Sequence, residues 1–269
     1  MGHDEHESGD MNIRAIVLAT FVAVVVGVVP GRDAEPAERI EVRIGTEGAY
    51  PPFNYTDEGG ELKGFDIDIA NALCEAMQVE CKFVTSAWNS IIPGLLRKKY
   101  DAIIASMSIT EQRKLIVDFT DKYYQTGGHF VAKKGSAVEI SREGLRGKVI
   151  CTQRSTTHQE YLLDNFQDVA TVKIYDTQEH VNLDLFSGRL DAALADTLVL
   201  LEWVKRDAPD FELVGQPISD PKWYGDGIGI AVRKEDTDLR DRFNKALAQI
   251  LADGTYQKIN YKYFPFNIY

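Results

Sequence analysis

Basic side chains are the minority in this sequence: 30 lysines and arginines stand against 41 aspartates and glutamates, a formal net charge of −11. That balance excludes nucleic acid as a partner, because nothing would offset the phosphate charge. Long apolar runs are scarce. Ala15 to Val29, fifteen residues without a charge, falls short of the roughly 20 needed to cross a bilayer. With Met11-Asn-Ile-Arg14 before it, the run reads as a secretory signal, so residues 1–37 are assigned as leader and signal peptide, cleaved near Ala34 or Ala37. The remainder carries 28 basic and 35 acidic side chains, an acidic surface that favours solubility and attracts cations weakly. Cysteines number three, too few for a disulfide framework. Cys74 and Cys81 lie seven apart, across a helix end and the next strand. In an exported protein they form a plausible disulfide, with Cys151 left as a free buried thiol. Of the five histidines, His129, His158 and His180 show no metal-ligand spacing with neighbouring Cys, Asp or Glu, and no metal or other cofactor is expected. No G-x-S-x-G nucleophile elbow occurs. Gly225-x-Gly227-x-Gly229 precedes no helix, so it reads as a hinge and not as a phosphate loop.

What is present is an alternation of short apolar runs with helical patterns, the mark of an α/β protein. Val42–Gly45 reads as a strand. Asp66–Met77 reads as a helix with Ile67, Ala70, Cys74 and Met77 on one stripe. Strand Cys81–Thr85, helix Asn89–Lys98 and strand Asp101–Ala105 follow, then a helix start near Thr110 and strand Gly128–Lys133. The second half repeats the rhythm with strands Lys148–Thr152, Thr171–Tyr175 and Asp191–Ala195. Its helices are Thr157–Asn165, Gln178–Ser187 and Leu198–Arg206. A turn at Asp220–Tyr224, strand Gly227–Arg233 and helix Leu239–Asp253 complete the pattern.

Ligands of open α/β sheets bind at the carboxyl ends of the strands. The residues that follow the expected strands are Glu47 and Tyr50, Trp88, Ser106 and Ser108 with Arg113 beyond, then Arg154, Ser155 and Thr156, and finally Asp196. Acids, aromatics, hydroxyls and arginine suit a zwitterion.

Four segments carry a family resemblance. Gly45-Thr-Glu-Gly-Ala-Tyr-Pro-Pro-Phe-Asn54 with Gly64-Phe-Asp-Ile-Asp-Ile-Ala70 resembles the opening of the polar amino-acid-binding proteins of bacterial ABC importers. Ser106-Met-Ser-Ile-Thr-Glu-Gln-Arg113 is similar to their carboxylate-binding segment, Gly188-Arg-Leu-Asp-Ala-Ala-Leu-Ala-Asp196 to their ammonium-binding segment, and Asp253-Gly-Thr-Tyr-Gln-Lys-Ile259 to their C-terminal helix. The likeness spans Ile40 to Tyr269 and is greatest to lysine–arginine–ornithine, histidine and arginine binders, with a second likeness to opine binders.

The resemblance implies a two-lobed periplasmic binding protein fold of type II, each lobe a central sheet flanked by helices, joined by two hinge strands. Lobe one is expected at 38–124 plus 228–269, lobe two at 129–218 and the hinges at 125–128 and 219–227. Gly127, Gly128, Gly225 and Gly227 suit the bending. It also implies roles. Arg113 grips the ligand's carboxylate, helped by Thr156, with Ser155 in the same loop. Asp196 takes the ammonium, Ser106 and Ser108 add a hydroxyl and a backbone N–H around these two groups, and Tyr50 and Trp88 sandwich the side chain. Glu47, often Asp in such relatives, meets a distal cation. Departures are Trp88, where Phe or Tyr is common, Ala105, where a hydroxyl is frequent, and Arg154, where glycine is common. The function expected is capture of a free amino acid, cationic by Glu47, by a periplasmic monomer that delivers it to ABC importer permease subunits in the inner membrane. An opine ligand is the alternative. A dehydratase on the same scaffold needs a spare general acid, and a sensory domain needs a span and a signalling module after Tyr269.

Overall fold

The computed structural model describes residues 40–269; the expected leader and signal at 1–37 lies outside them. The chain opens with β1 (Glu41–Thr46), the short strands β2 (Ala49–Tyr50), β3 (Asn54–Thr56) and β4 (Leu62–Lys63), helix α1 (Phe65–Met77), β5 (Glu80–Thr85), α2 (Trp88–Leu96), β6 (Ala102–Ile103) and the single turn α3 (Glu111–Lys114). Next come β7 (Asp118–Tyr124), β8 (Gly128–Lys133), β9 (Val149–Gln153), α4 (Thr157–Phe166), β10 (Thr171–Tyr175), α5 (Gln178–Phe186), β11 (Ala192–Asp196), α6 (Thr197–Arg206) and β12 (Phe211–Ile218). The one-turn α7 (Pro221–Tyr224), β13 (Ile228–Val232), α8 (Thr237–Ala252) and α9 (Thr255–Tyr263) close it.

The strands form two five-stranded sheets of the same design, in orders β5-β1-β6-β13-β7 and β10-β9-β11-β8-β12. In each, three parallel strands are followed by two antiparallel pairings. This duplication makes the two lobes that the repeated rhythm of the sequence implies. Both sheets are covered on both faces. In the first lobe α1, α8 and α9 pack on one side through Leu73, Phe243, Leu247 and Tyr256, while α2 covers the other through Ile91 and Leu95. In the second, α5 and α6 pack one face through Val181, Leu185 and Leu200, and α4 the other through Leu162 and Phe166. Two-sided burial is why β11 and β13 are buried along their whole length and read as apolar runs without alternation.

Of the stripe expected on α1, Ile67, Ala70 and Cys74 are buried and Met77 half-buried, and Phe65, Ile69 and Leu73 widen the buried face. Gln78, left-handed at φ 57°, ends the helix and turns the chain into β5. There Cys81 meets Cys74 in a disulfide with Cα atoms 5.9 Å apart, as expected, and Cys151 is free and buried. Two expected elements are shorter than the pattern implied. Strand Asp101–Ala105 narrows to β6, because Asp101 turns aside to bind Arg43 at 2.7 Å, and the helix after Thr110 ends within one turn. The small sheet β2-β3-β4 was not foreseen. The chain passes from the first sheet to the second between β7 and β8, and returns between β12 and β13.

Candidate functional site

The carboxyl ends of both sheets converge on one cavity, partly open to solvent. From the first lobe Glu47, Tyr50, Trp88, Ala105, Ser106, Ser108 and Arg113 line it. From the second come Thr156 and Asp196, so every foreseen site residue except Ser155 borders the same space. Ser155 contributes differently. Its carbonyl accepts Trp88 Nε1–H at 3.0 Å and Arg113 Nη2–H at 3.4 Å, joining the lobes across the cleft.

Arg113 is placed by Thr110, whose hydroxyl caps α3 by accepting the Arg113 backbone N–H. The guanidinium donates to the Ser108 carbonyl at 3.0 Å and lies 5.4 Å from the Trp88 ring centroid. Among the described ion pairs no carboxylate holds it. Desolvation in the cleft brings its pKa down to about 10, against the nearby Glu160, which raises it. A desolvated cation without an anion favours binding one.

Two carboxyl groups face the same space. Asp196 ends β11 and caps α6, with Oδ1 accepting the Leu198 N–H at 2.8 Å. Burial raises its pKa to about 7 against that bond and the Thr126 hydroxyl. Glu47 follows β1 and accepts Gln153 Nε2–H from the opposite lobe at 2.6 Å; burial lifts it to about 7 as well. Both acids therefore favour a positive charge beside them. Tyr50, buried, spans the lobes: its hydroxyl oxygen lies 3.4 Å from the Asp196 N–H. Beneath Ser106, itself left-handed at φ 54°, a fully buried Asp66 accepts from Ser106 Oγ, Asn54 Nδ2 and Tyr123 OH at 3.0, 2.8 and 2.7 Å, fixing that corner.

Residues 42–266 match the bacterial extracellular solute-binding proteins, family 3. The chain belongs to that family. It is 43% identical over 231 residues to an L-arginine-binding protein of Pseudomonas aeruginosa, covering 85% of this chain and 89% of that one. It is 39% identical over 251 residues to the lysine/arginine/ornithine-binding periplasmic protein of Escherichia coli, covering 92% and 96%. Among solved structures, a Salmonella typhimurium periplasmic binding protein described for high arginine specificity shares 36% identity with a TM-score of 0.78, over 84% of this chain and 99% of that one.

Against that family background the structure adds residues that the sequence did not single out. Gln153, Thr126, Thr157, His158, Tyr224 and Ile228 complete the wall. His158 shows no metal-ligand spacing with its sequence neighbours, which is why the sequence alone does not bring it out. Its position two residues into the helix after the β9 loop was the available signal. Thr156 borders the cavity, but its hydroxyl is committed: it donates to the Gln153 carbonyl at 2.7 Å and accepts the Gln159 N–H as the cap of α4. Arg154, where relatives commonly have glycine, turns away and pairs with Asp176 at 3.0 Å.

Proposed function

We propose that this family 3 protein captures a free cationic amino acid, arginine, lysine or ornithine, outside the cytoplasm and hands it to an ABC importer. The observation that carries the reading is the charge layout of one cavity: a single desolvated guanidinium, Arg113, and two separate carboxyl groups, Asp196 and Glu47, both raised to about 7 by burial. A zwitterion with a cationic tail satisfies all three at once. Its carboxylate meets Arg113 in a two-bond fork and its α-ammonium meets Asp196. Its stem lies between Tyr50 and Trp88, and its distal cation meets Glu47. The relatives named for arginine and for lysine, arginine and ornithine support this choice of ligand.

Ser106, Ser108, Ser155 and Thr156 act through backbone and hydroxyl groups around the fork and the ammonium. The segments 125–128 and 219–227 serve as hinges, and the lobes close over the ligand. Arg113, Asp196 and Glu47 are each taken up by one charge of the ligand in this reading, which is binding without chemical change. The mature protein works as a periplasmic monomer after removal of the signal at 1–37. A thermal-shift panel of free amino acids and opines tests the reading, since a ligand of the folded state adds about 2.7 kcal/mol at a hundredfold excess over its Kd. Arginine, lysine and ornithine are expected to raise the melting temperature. Stabilisation by octopine alone would replace the ligand.

A further inference from the structure

The return crossing changes sides at one peptide. Up to Tyr224 it belongs to the second lobe. There α7 packs on α4, with the Trp223 ring edge-on to Tyr161 at 5.0 Å and Trp223 Nε1–H donating to Asp164 at 3.0 Å. From Gly225 onward it belongs to the first. Asp226 N–H donates to the Ile109 carbonyl at 3.1 Å, Ile109 N–H donates to the Gly227 carbonyl at 2.8 Å, and Lys114 pairs with Asp226 at 2.9 Å. Those partners sit on the stretch that carries Ser108 and Arg113. Gly225 itself has φ 64° and ψ −149°, a conformation open essentially to glycine alone. A Cβ there would lie 1.8 Å from the Ile109 carbonyl oxygen.

One polar contact ties the crossing to the cavity wall just before this point. His158 Nδ1 lies 3.0 Å from the Tyr224 hydroxyl, both residues being buried. Gly128, where the outward crossing enters β8, leaves the room for it: a Cβ there would lie 1.8 Å from that hydroxyl and 3.2 Å from Nδ1. The pair therefore sits where both crossings meet the ligand cavity.

We infer that His158 is a positioning residue whose bond to Tyr224 clasps the return crossing to the second lobe and confines the bending of that crossing to Gly225. The inference rests on the reading of the chain as a binder that closes over its ligand. The titratable groups around the imidazole and its partner are Arg113 from α3, Tyr224 from α7, and Glu160 and Tyr161 on α4 itself, with Asp196 of β11 acting on Tyr224. Burial, then the Arg113 charge, push the imidazole pKa down to about 3 in the closed cleft. Once opened to water it returns toward about 6.5. The depressed value belongs to the closed form, so closure is unopposed above about pH 6.5 and increasingly opposed below it.

The test is calorimetric titration of L-arginine into wild type, His158→Gln, Tyr224→Phe and the double variant, at about pH 7.5 and about pH 5.5. At the higher pH each single variant is expected to bind about two- to tenfold more weakly, the effect of one hydrogen bond. The double variant is expected to bind no more weakly than the weaker single one. Between the two pH values wild type is expected to lose about tenfold more affinity than His158→Gln, because one more proton must leave before closure. Glu47 and Asp196 titrate in both proteins and cancel in that comparison. Additive losses, or parallel pH profiles in wild type and His158→Gln, overturn the clasp. If wild type binds no amino acid, the functional reading falls, and hydrogen exchange at the Tyr224 and Gly225 amides decides the clasp: faster exchange in Tyr224→Phe supports it and unchanged exchange overturns it.

Discussion

Replacing Arg113 by alanine removes the only guanidinium among the described residues that border the cavity and so tests where the ligand's carboxylate lies. The structure sets the size of the effect. Two charge-assisted hydrogen bonds from the guanidinium to a carboxylate are worth about 1.5–3 kcal/mol each. Their loss predicts a fall in arginine affinity of about two to four decades, at about 1.4 kcal/mol per decade. The Nη2 bond to the Ser155 carbonyl at 3.4 Å crosses the cleft, so part of the loss comes from weaker closure. Lysine at this position keeps the charge but not the fork, and is expected to recover only part of the affinity. Without ligand the melting temperature is expected to move by only a few degrees, because the side chain's protein partners are two carbonyls and an aromatic face and no charge is left unpaired. Isothermal calorimetry with L-arginine measures the change. Agmatine, arginine without its carboxylate, supplies the control: Arg113→Ala is expected to weaken it far less than arginine, by no more than the share that the lost Ser155 bond takes from closure. Near-normal arginine affinity in Arg113→Ala would refute the reasoning and place the carboxylate elsewhere.

Glu47→Gln is expected to weaken arginine, lysine and ornithine far more than glutamine, since burial already opposes a charge at Glu47 and only a cation offsets it; equal losses for all four ligands in competition assays would make Glu47 structural. Trp88→Phe keeps the aromatic face but loses the 3.0 Å bond to the Ser155 carbonyl, so every ligand is expected to bind about two- to tenfold more weakly, by calorimetry, with selectivity unchanged. Replacing Cys74 and Cys81 together by alanine opens a loop of seven residues and is expected to cost about 2–3 kcal/mol of stability. That loss is read in a urea melt, while arginine affinity stays constant.

The strand-end rule brought out these cavity-lining positions because the parallel strands β1, β5 and β9 end in sequence shortly before Glu47, Trp88 and Ser155, and β11 ends on Asp196 itself. Their apolar runs are readable whatever surrounds them. The α1 stripe and the disulfide were readable for the same reason: both depend on neighbours within one helix and one strand. Less was visible where long-range contacts decide. The strands β7 and β12 carry polar residues on one side, and β12 holds Gly215 and Pro217, which dilute the alternation. Asp101 looks like a strand residue until Arg43 and Arg233, one sheet position and 132 residues away, claim its carboxylate. Gln153 and His158 enter the cavity only because the second sheet faces the first across the cleft. Tyr224 joins them through a crossing that the sequence marked as a turn and a glycine-bearing hinge, without showing which side chains it brings to the cavity.

The central claim is that three charges of one ligand meet three groups of one cavity, and one calorimetric series tests it most directly. L-arginine is titrated beside agmatine, which lacks the carboxylate, N-acetylarginine, which lacks the ammonium, and citrulline, which lacks the distal charge. Tight one-to-one binding of arginine with a loss of at least about tenfold for each of the others, one charged contact apiece, is the result predicted. Equal binding of arginine and any one of the three would show that the matching protein group, Arg113, Asp196 or Glu47, does not hold the ligand.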